Sequence, residues 1–91
     1  MSIELTVQDQ WVMRVLLHAG NMFVGERSIV AEAMDERPTL LPQDMVAAAR
    51  KMLAAGYVER DEAGGYRPTR TGRKLKGIIP ERPGVNIEYY G

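Results

Sequence analysis

Five residues in and just before the stretch 42–55 have side chains suited to recognising DNA bases: Thr39, Gln43, Ala47, Arg50 and Lys51. The amide of Gln43 can pair with adenine, the guanidinium of Arg50 with guanine, and the methyl group of Ala47 can contact thymine. The major groove of duplex DNA admits one α-helix, whose N-terminal exposed residues reach the base edges. The pattern favours a DNA-reading helix. The alternative is an amphipathic helix with a solvated polar side, and Asp44 favours it because a carboxylate repels phosphate.

Basic residues continue through the next segment, where they suit contacts with the phosphate backbone. These candidates are Arg60, Arg67, Arg70, Arg73 and Lys74. Phosphate contacts position a protein on DNA without reading its sequence. If about four such contacts form, the logarithm of the binding constant falls with the logarithm of salt concentration at a slope of about −3.6. The alternative is that Arg60 pairs with Glu59 or Glu62 and that the later basic residues form a solvated surface.

The charges balance overall but are unevenly distributed. The 91 residues include 12 basic and 12 acidic side chains. Residues 1–49 have three basic and seven acidic side chains, a net of −4, and residues 50–82 have nine basic and four acidic ones, a net of +5. A chain polarised in this way can present a basic surface, although nucleic-acid-binding domains are usually more basic overall. The balance keeps open a second function, that of a protein-interaction module.

The residue types and spacings do not indicate a catalytic site or a metal site. The chain has no cysteine and one histidine, His18, so a metal site is not expected. The carboxylate pairs Asp35–Glu36 and Asp61–Glu62 are adjacent at turns, whereas acid–base catalysis needs groups that converge from separate elements. No glycine-rich loop is followed by lysine and a hydroxyl residue, as a phosphate loop would be. We expect neither an enzyme nor a cofactor.

The sequence also predicts where the chain acts. Its purely apolar stretches are only a few residues long, so no transmembrane helix is expected. Residues 1–9 lack a basic region before an apolar run, so no signal peptide is expected either. The lack of cysteine is compatible with a reducing cytoplasm. We expect a cytoplasmic protein with no membrane partner.

Two helices are predicted in the N-terminal half. The first begins at Thr6, which with Asp9 resembles a capping box, and ends at Gly20-Asn21. A possible single β rung at 22–24 follows. A short second helix is predicted to be capped by Ser28 and to stop before Pro38. The apolar faces are Trp11, Val12, Val15, Leu16 and Ala19 in the first helix, and Ile29, Val30, Ala33 and Met34 in the second.

The C-terminal half is predicted to contain a third helix, a hairpin and a fourth helix. The third helix runs from Pro42 to about Ala55. Two strands, 57–61 and 66–69, are joined by a glycine turn. The fourth helix covers about 70–79 and is capped by Thr69. The third helix is expected to bury Met45, Val46, Ala49, Met52 and Leu53.

Two segments of this half resemble a known family. Residues 53–60, Leu-Ala-Ala-Gly-Tyr-Val-Glu-Arg, look like the join between recognition helix and wing in winged-helix repressors of the multiple-antibiotic-resistance and phenolic-acid-repressor type. Residues 65–75 resemble the second wing strand and following helix of that family, with Thr69, Gly72 and Leu75 at its recurring positions. Two departures stand out: the wing tip 61–65 has no arginine, and Ala47 and Ala48 lie on the expected exposed face of the third helix, where the family often has polar residues.

The resemblance and the pattern together imply an α+β fold. We expect a winged helix over residues 1–80, namely a three-helix bundle, a two- to three-stranded β-hairpin wing and a short C-terminal helix, with an extended tail over 81–91. We expect a small transcriptional regulator that binds double-stranded DNA as a homodimer, reading it with the third helix and contacting backbone with the wing (57–69). The dimer surface could be the first helix, the fourth helix or the tail. The alternative is a winged-helix module, of viral or mobile-element origin, that engages a host protein without reading DNA.

Overall fold

The computed structural model of the chain describes residues 4–84. It is an α+β structure in which three helices precede a two-stranded antiparallel hairpin and a short fourth helix. The elements are α1 (Val7–His18), α2 (Glu26–Glu36), α3 (Pro42–Ala54), β1 (Val58–Arg60), β2 (Tyr66–Pro68) and α4 (Arg70–Arg73), followed by a 3₁₀ turn over Lys74–Gly77. Among residues 4–84, no helix is both long enough and apolar enough to cross a membrane.

Helix α1 begins and packs as the sequence predicts. The Thr6 hydroxyl accepts a hydrogen bond from the Asp9 amide, and the Asp9 carboxylate accepts one from the Thr6 amide, which completes the capping box. The apolar face of α1 forms the centre of the core, where Trp11 is 1% exposed. The indole N–H of Trp11 donates to the carbonyl oxygen of Pro83 at 2.9 Å, so this buried polar group is satisfied.

Helix α2 begins three residues earlier than the sequence predicts. Its N-cap is Gly25, whose carbonyl oxygen accepts the amide of Ile29 at 3.0 Å, and Ser28 lies inside the first turn. The assignment of Ser28 as the cap was therefore wrong. The earlier start places Glu26 at the first helical position, where the helix dipole favours a carboxylate. The helix ends at Glu36, two residues before Pro38, as predicted.

Helix α3 begins at Pro42, as predicted, and ends at Ala54. Met45, Ala49 and Met52 are buried, which confirms the main part of its predicted apolar face. Ala48 is also buried, contrary to the prediction that it is exposed. The reason is that α1 packs beside this part of α3, so the buried face is wider than the sequence pattern suggested.

The hairpin follows α3 through Gly56, whose φ of +85° turns the helix directly into β1. The two strands pair with Glu59 opposite Arg67. On the other side of β2, Val24 and Tyr66 exchange two backbone hydrogen bonds of 2.8 Å, which confirms the single β rung predicted near Val24. Pro68 lacks an N–H and is the last residue of β2.

The fourth helix is shorter than predicted. The Thr69 hydroxyl caps it by accepting the Gly72 amide at 3.1 Å, as expected, but α-helical geometry stops at Arg73 and continues only as the 3₁₀ turn. Ile78 is 68% exposed, so the apolar residues here do not form the continuous face that a longer helix requires. A side chain at Gly72 would overlap the carbonyl oxygen of Tyr57, so glycine is what allows this helix to lie against β1.

Residues 81–84, at the start of the predicted tail, form a turn that packs against the domain. Pro83 is buried and Gly84 has a φ of +81°. Residues 85–91, on which the prediction of an added edge strand falls, lie outside the described residues.

Candidate nucleic-acid interface

Three of the residues predicted to contact DNA lie on the exposed side of α3. Gln43, Ala47 and Arg50 are all exposed, while the opposite side of α3 is buried in the core. Spacings of four and three residues place these side chains on one helix face. Thr39 is exposed in the turn before α3, where its hydroxyl accepts a hydrogen bond from Arg37 Nε at 3.2 Å. The helix therefore presents a strip of mixed polar and methyl groups to solvent.

Arg50 is the most prominent cation of this strip. Its side chain is 63% exposed, and its Nε lies 3.4 Å from a carboxylate oxygen of Glu26, at the start of α2. Its guanidinium also lies near the hydroxyl of Tyr66, whose pKa it acts to lower, against the larger opposing effects. Arg50 is thus held on one side and open on the other.

Lys51 lies beside the strip but is paired inward. Its Nζ is 2.6 Å from a carboxylate oxygen of Asp9, which is almost fully buried. The pair ties the N-terminus of α1 to the last turn of α3. Because removing one member of such a pair leaves the other without its partner, Lys51 has a structural role in addition to any contact with a ligand.

Glu26 joins α2, α3 and the hairpin at one point. The hydroxyl of Tyr66 donates to its carboxylate at 2.6 Å, and Arg60 lies 3.6 Å from the same oxygen as Arg50. The hydrogen bond from Tyr66 and the two guanidinium groups lower the pKa of the Glu26 carboxyl, against a smaller opposing effect of burial. Burial, followed by the bond to the Glu26 carboxylate, raises the pKa of the Tyr66 hydroxyl. Glu26 is therefore ionised at neutral pH.

The hairpin arginines fold back onto the protein. Arg60 lies over the ring of Tyr66, 5.0 Å from its centroid, and its Nε contacts the carbonyl oxygen of Gly64 at 3.4 Å. Arg67 pairs with Glu59 across the hairpin at 2.8 Å and covers the ring of Phe23 at 4.3 Å. The alternative that Arg60 pairs with Glu59 or Glu62 was wrong, because its partner is Glu26.

The basic residues around α4 are the most accessible ones. Arg70 and Lys74 are exposed and form no ion pair with any residue of the described range. Arg73 is also exposed and donates to the side-chain oxygen of Asn21 at 2.7 Å. These three side chains can approach a phosphate without first breaking an ion pair with a carboxylate.

The tip of the hairpin is acidic and internally bonded. Asp61 accepts the Gly65 amide at 2.7 Å, and Gly64 has a φ of +90°. With no cation at the tip, any contact of the hairpin with DNA depends on Arg60 and Arg67 along its strands.

One concave surface lies away from this strip. A cleft of about 350 Å³ is lined by Arg14, Leu17, His18, Lys76, Ile79, Pro80 and Glu81. Arg14 is engaged there by Glu36 at 2.6 Å. In the part of the chain that the structure describes, no three acidic or histidine side chains are grouped so as to hold a metal ion.

The residue that sequence reasoning missed is Glu26. The available signal was an acid directly after Gly25, which suits the first turn of a helix. The prediction of Ser28 as the cap placed Glu26 outside the helix and concealed it. Its contacts with Arg50, Arg60 and Tyr66 depend on tertiary packing, to which a single sequence gives no guide.

Comparisons with known protein families, with curated proteins and with solved structures found no match for this chain.

Proposed function

We propose that the chain is a winged-helix protein that binds double-stranded DNA and regulates transcription in the cytoplasm. In this proposal α3 enters the major groove, and the hairpin and the start of α4 lie along the phosphate backbone. The resemblance in residues 53–60 and 65–75 supports it, as does the order of helices and hairpin. Because a fold does not imply one function, the exposed residues of α3 and α4 support the proposal more directly than the fold does.

The observation that carries the proposal is the exposed strip of α3. Gln43, Ala47 and Arg50 make no contribution to the buried core, yet they offer an amide, a methyl group and a guanidinium on one helix face. These are the groups that recognise base edges. Arg70, Arg73 and Lys74 supply accessible cations for phosphates.

We further propose that the protein acts as a homodimer, because such modules usually add the binding energy of two half-sites. The candidate dimer surfaces are the exposed sides of α1 and α4; the third candidate, the segment 85–90, lies outside the described residues. Light scattering on the free protein and on its complex with DNA would give the stoichiometry. A strictly monomeric protein in both states would contradict this part of the proposal.

The proposal is tested by fluorescence anisotropy with a labelled duplex pool at several salt concentrations. We expect binding whose logarithmic salt slope is about −3.6, from about four phosphate contacts. The double variant Arg70→Ala/Lys74→Ala should reduce the magnitude of the slope by about 1.8. Lys76→Ala, in a cleft that no residue of α3 lines, is the control and should change little if the contacts are confined to α3, the hairpin and the start of α4. Absence of binding at every salt concentration would refute the proposal.

A second function is favoured by one observation: four of the cations near α3 and in the hairpin already have acidic partners within the chain. Arg50, Lys51, Arg60 and Arg67 are each paired, which lowers their availability to phosphate. An apolar groove between α2 and α3, lined in part by Val30, Pro42 and Val46, lies open to solvent. In this alternative the module docks on another protein. Recovery of a stoichiometric protein partner together with no DNA affinity would favour it.

A further inference from the structure

We propose that Glu26 is a positioning residue for Arg50, and that the pair makes Arg50 a reader of guanine. The inference rests on the proposed DNA binding and goes further, because it names the base and the residue that sets the specificity. It starts from one contact, that of Arg50 Nε with the Glu26 carboxylate at 3.4 Å.

The contact engages Nε, on one side of the guanidinium. A guanidinium is planar and carries its donors in a fixed fork. Guanine presents O6 and N7 in the major groove as two neighbouring acceptors, and an arginine fork matches both. Arg50 is 63% exposed, so its open side can meet such an edge. An arginine without a partner in the protein loses the conformational freedom of several rotatable bonds when it binds a base. Arg50 has already lost part of that freedom through its contact with Glu26, so its entropic cost of binding is lower.

Glu26 can support Arg50 because Glu26 is itself held. Its side chain is 22% exposed, it occupies the first position of α2, and it accepts a 2.6 Å hydrogen bond from Tyr66. Tyr66 is fully buried and belongs to β2. The chain of contacts from Tyr66 to Glu26 to Arg50 therefore runs from the core to the exposed face of α3. Locking a functional side chain through a second, packed residue is how binding sites keep their geometry.

Glu26 should favour guanine recognition by positioning Arg50, but its negative charge should weaken DNA binding that does not depend on sequence. A carboxylate beside a surface that meets phosphates weakens the general electrostatic attraction. Neutralising Glu26 should therefore do two things at once: raise the affinity for any duplex and lower the preference for guanine. A residue with a purely structural role would not separate these two quantities.

The test begins with selection of binding sites from a random duplex library by the full chain. For the wild type we expect one position fixed as guanine, and replacement of that guanine by adenine should weaken binding roughly 5- to 150-fold. Arg50→Ala should abolish this discrimination. Glu26→Gln should reduce it severalfold while increasing the affinity for duplexes that lack the guanine. Tyr66→Phe keeps the charge of Glu26 but removes its anchor, so it should reduce discrimination without that increase.

The matched control is Glu32→Gln, which removes one negative charge from an exposed position of the same helix. It should keep the wild-type discrimination, and thermal unfolding would confirm that each variant is folded. If Glu26→Gln discriminates as well as the wild type, or if Arg50→Ala keeps the guanine preference, the proposal is overturned while DNA binding stands. If the wild type binds no duplex at all, the proposed function fails, and this inference fails with it.

Discussion

At the residue scale, the hydrogen bond from Tyr66 to Glu26 should stabilise the fold by an amount that depends on pH. Tyr66→Phe removes the hydroxyl that donates to the carboxylate, and hydrogen bonds to charged groups contribute about 1.5 kcal/mol or more. We expect urea unfolding at neutral pH to show a loss of about that size. Tyr57→Phe is the control, since the Tyr57 hydroxyl makes no hydrogen bond with residues of the described range. An equal loss in both variants would contradict this role of Glu26.

The same contact predicts a pH dependence. The folded protein lowers the pKa of Glu26, so this carboxylate stabilises the fold above the ordinary value of 4.5, and the contribution is lost as the pH falls through the folded-state pKa. The folded protein raises the pKa of Tyr66, so that contribution is present below 10.0 and is lost as the pH rises through the folded-state pKa. The difference in unfolding free energy between wild type and Tyr66→Phe should therefore be largest near neutral pH and should shrink at both extremes. A constant difference across the range would contradict the account.

Gly72 provides a second residue-scale prediction. Gly72→Ala would place a Cβ onto the carbonyl oxygen of Tyr57, so either α4 or β1 must shift. We expect a loss of about 3 kcal/mol in unfolding free energy. Gly77→Ala is the matched control, because a Cβ there meets open space. Its effect should be within about 0.5 kcal/mol, and similar effects of the two substitutions would contradict the close packing of α4 on β1.

At the element scale, the attachment of α4 depends on Thr69. Its hydroxyl donates to the carbonyl oxygen of Gly56 at 2.7 Å and accepts the amide of Gly72, so it fixes both the start of α4 and the corner between α3 and β1. Thr69→Ala should cost about 1 to 2 kcal/mol, as the loss of a helix cap does. Thr69→Ser should restore most of it. Thr71→Ala, at an exposed position of the same helix, is the control, and equal losses at both threonines would argue against the cap.

The elements themselves were largely predictable. Local signals marked them: Thr6 and Thr69 as caps, Pro42 at the start of α3, and Gly56 at its end. These signals work because they satisfy backbone groups within a few residues of themselves. The length of the fourth helix was not predictable in this way. Leu75 is buried but Ile78 is exposed, so the apolar face expected for a longer helix is not continuous.

The candidate site was predictable only in part. Helical periodicity separates a buried side of α3 from an exposed one, so the exposure of Gln43, Ala47 and Arg50 was predictable, whereas Ala48 is buried contrary to the prediction. Periodicity did not give the partners of those side chains. The pairs Arg50–Glu26 and Lys51–Asp9 join residues that are 24 and 42 positions apart, so they exist only after three helices have packed.

At the scale of the whole molecule, charge pairing decides how strongly the surface can attract DNA. The acidic N-terminal half supplies Glu26 and Asp9, and these neutralise cations of the basic C-terminal half. The separation into an acidic and a basic half, visible in the sequence, is therefore partly cancelled in the folded protein. We therefore expect modest sequence-independent affinity for DNA, with the accessible cations concentrated at the start of α4.

DNA binding by α3 can be tested by mapping the surface of the protein that contacts DNA. An amide-detected NMR titration of the labelled chain with duplex DNA reports each backbone position separately. We expect the largest shifts at Gln43, Ala47 and Arg50 in α3 and at the start of α4, with little change around His18 and Lys76. Shifts confined to that distant cleft, or no shifts at all with a folded protein at low salt, would contradict it.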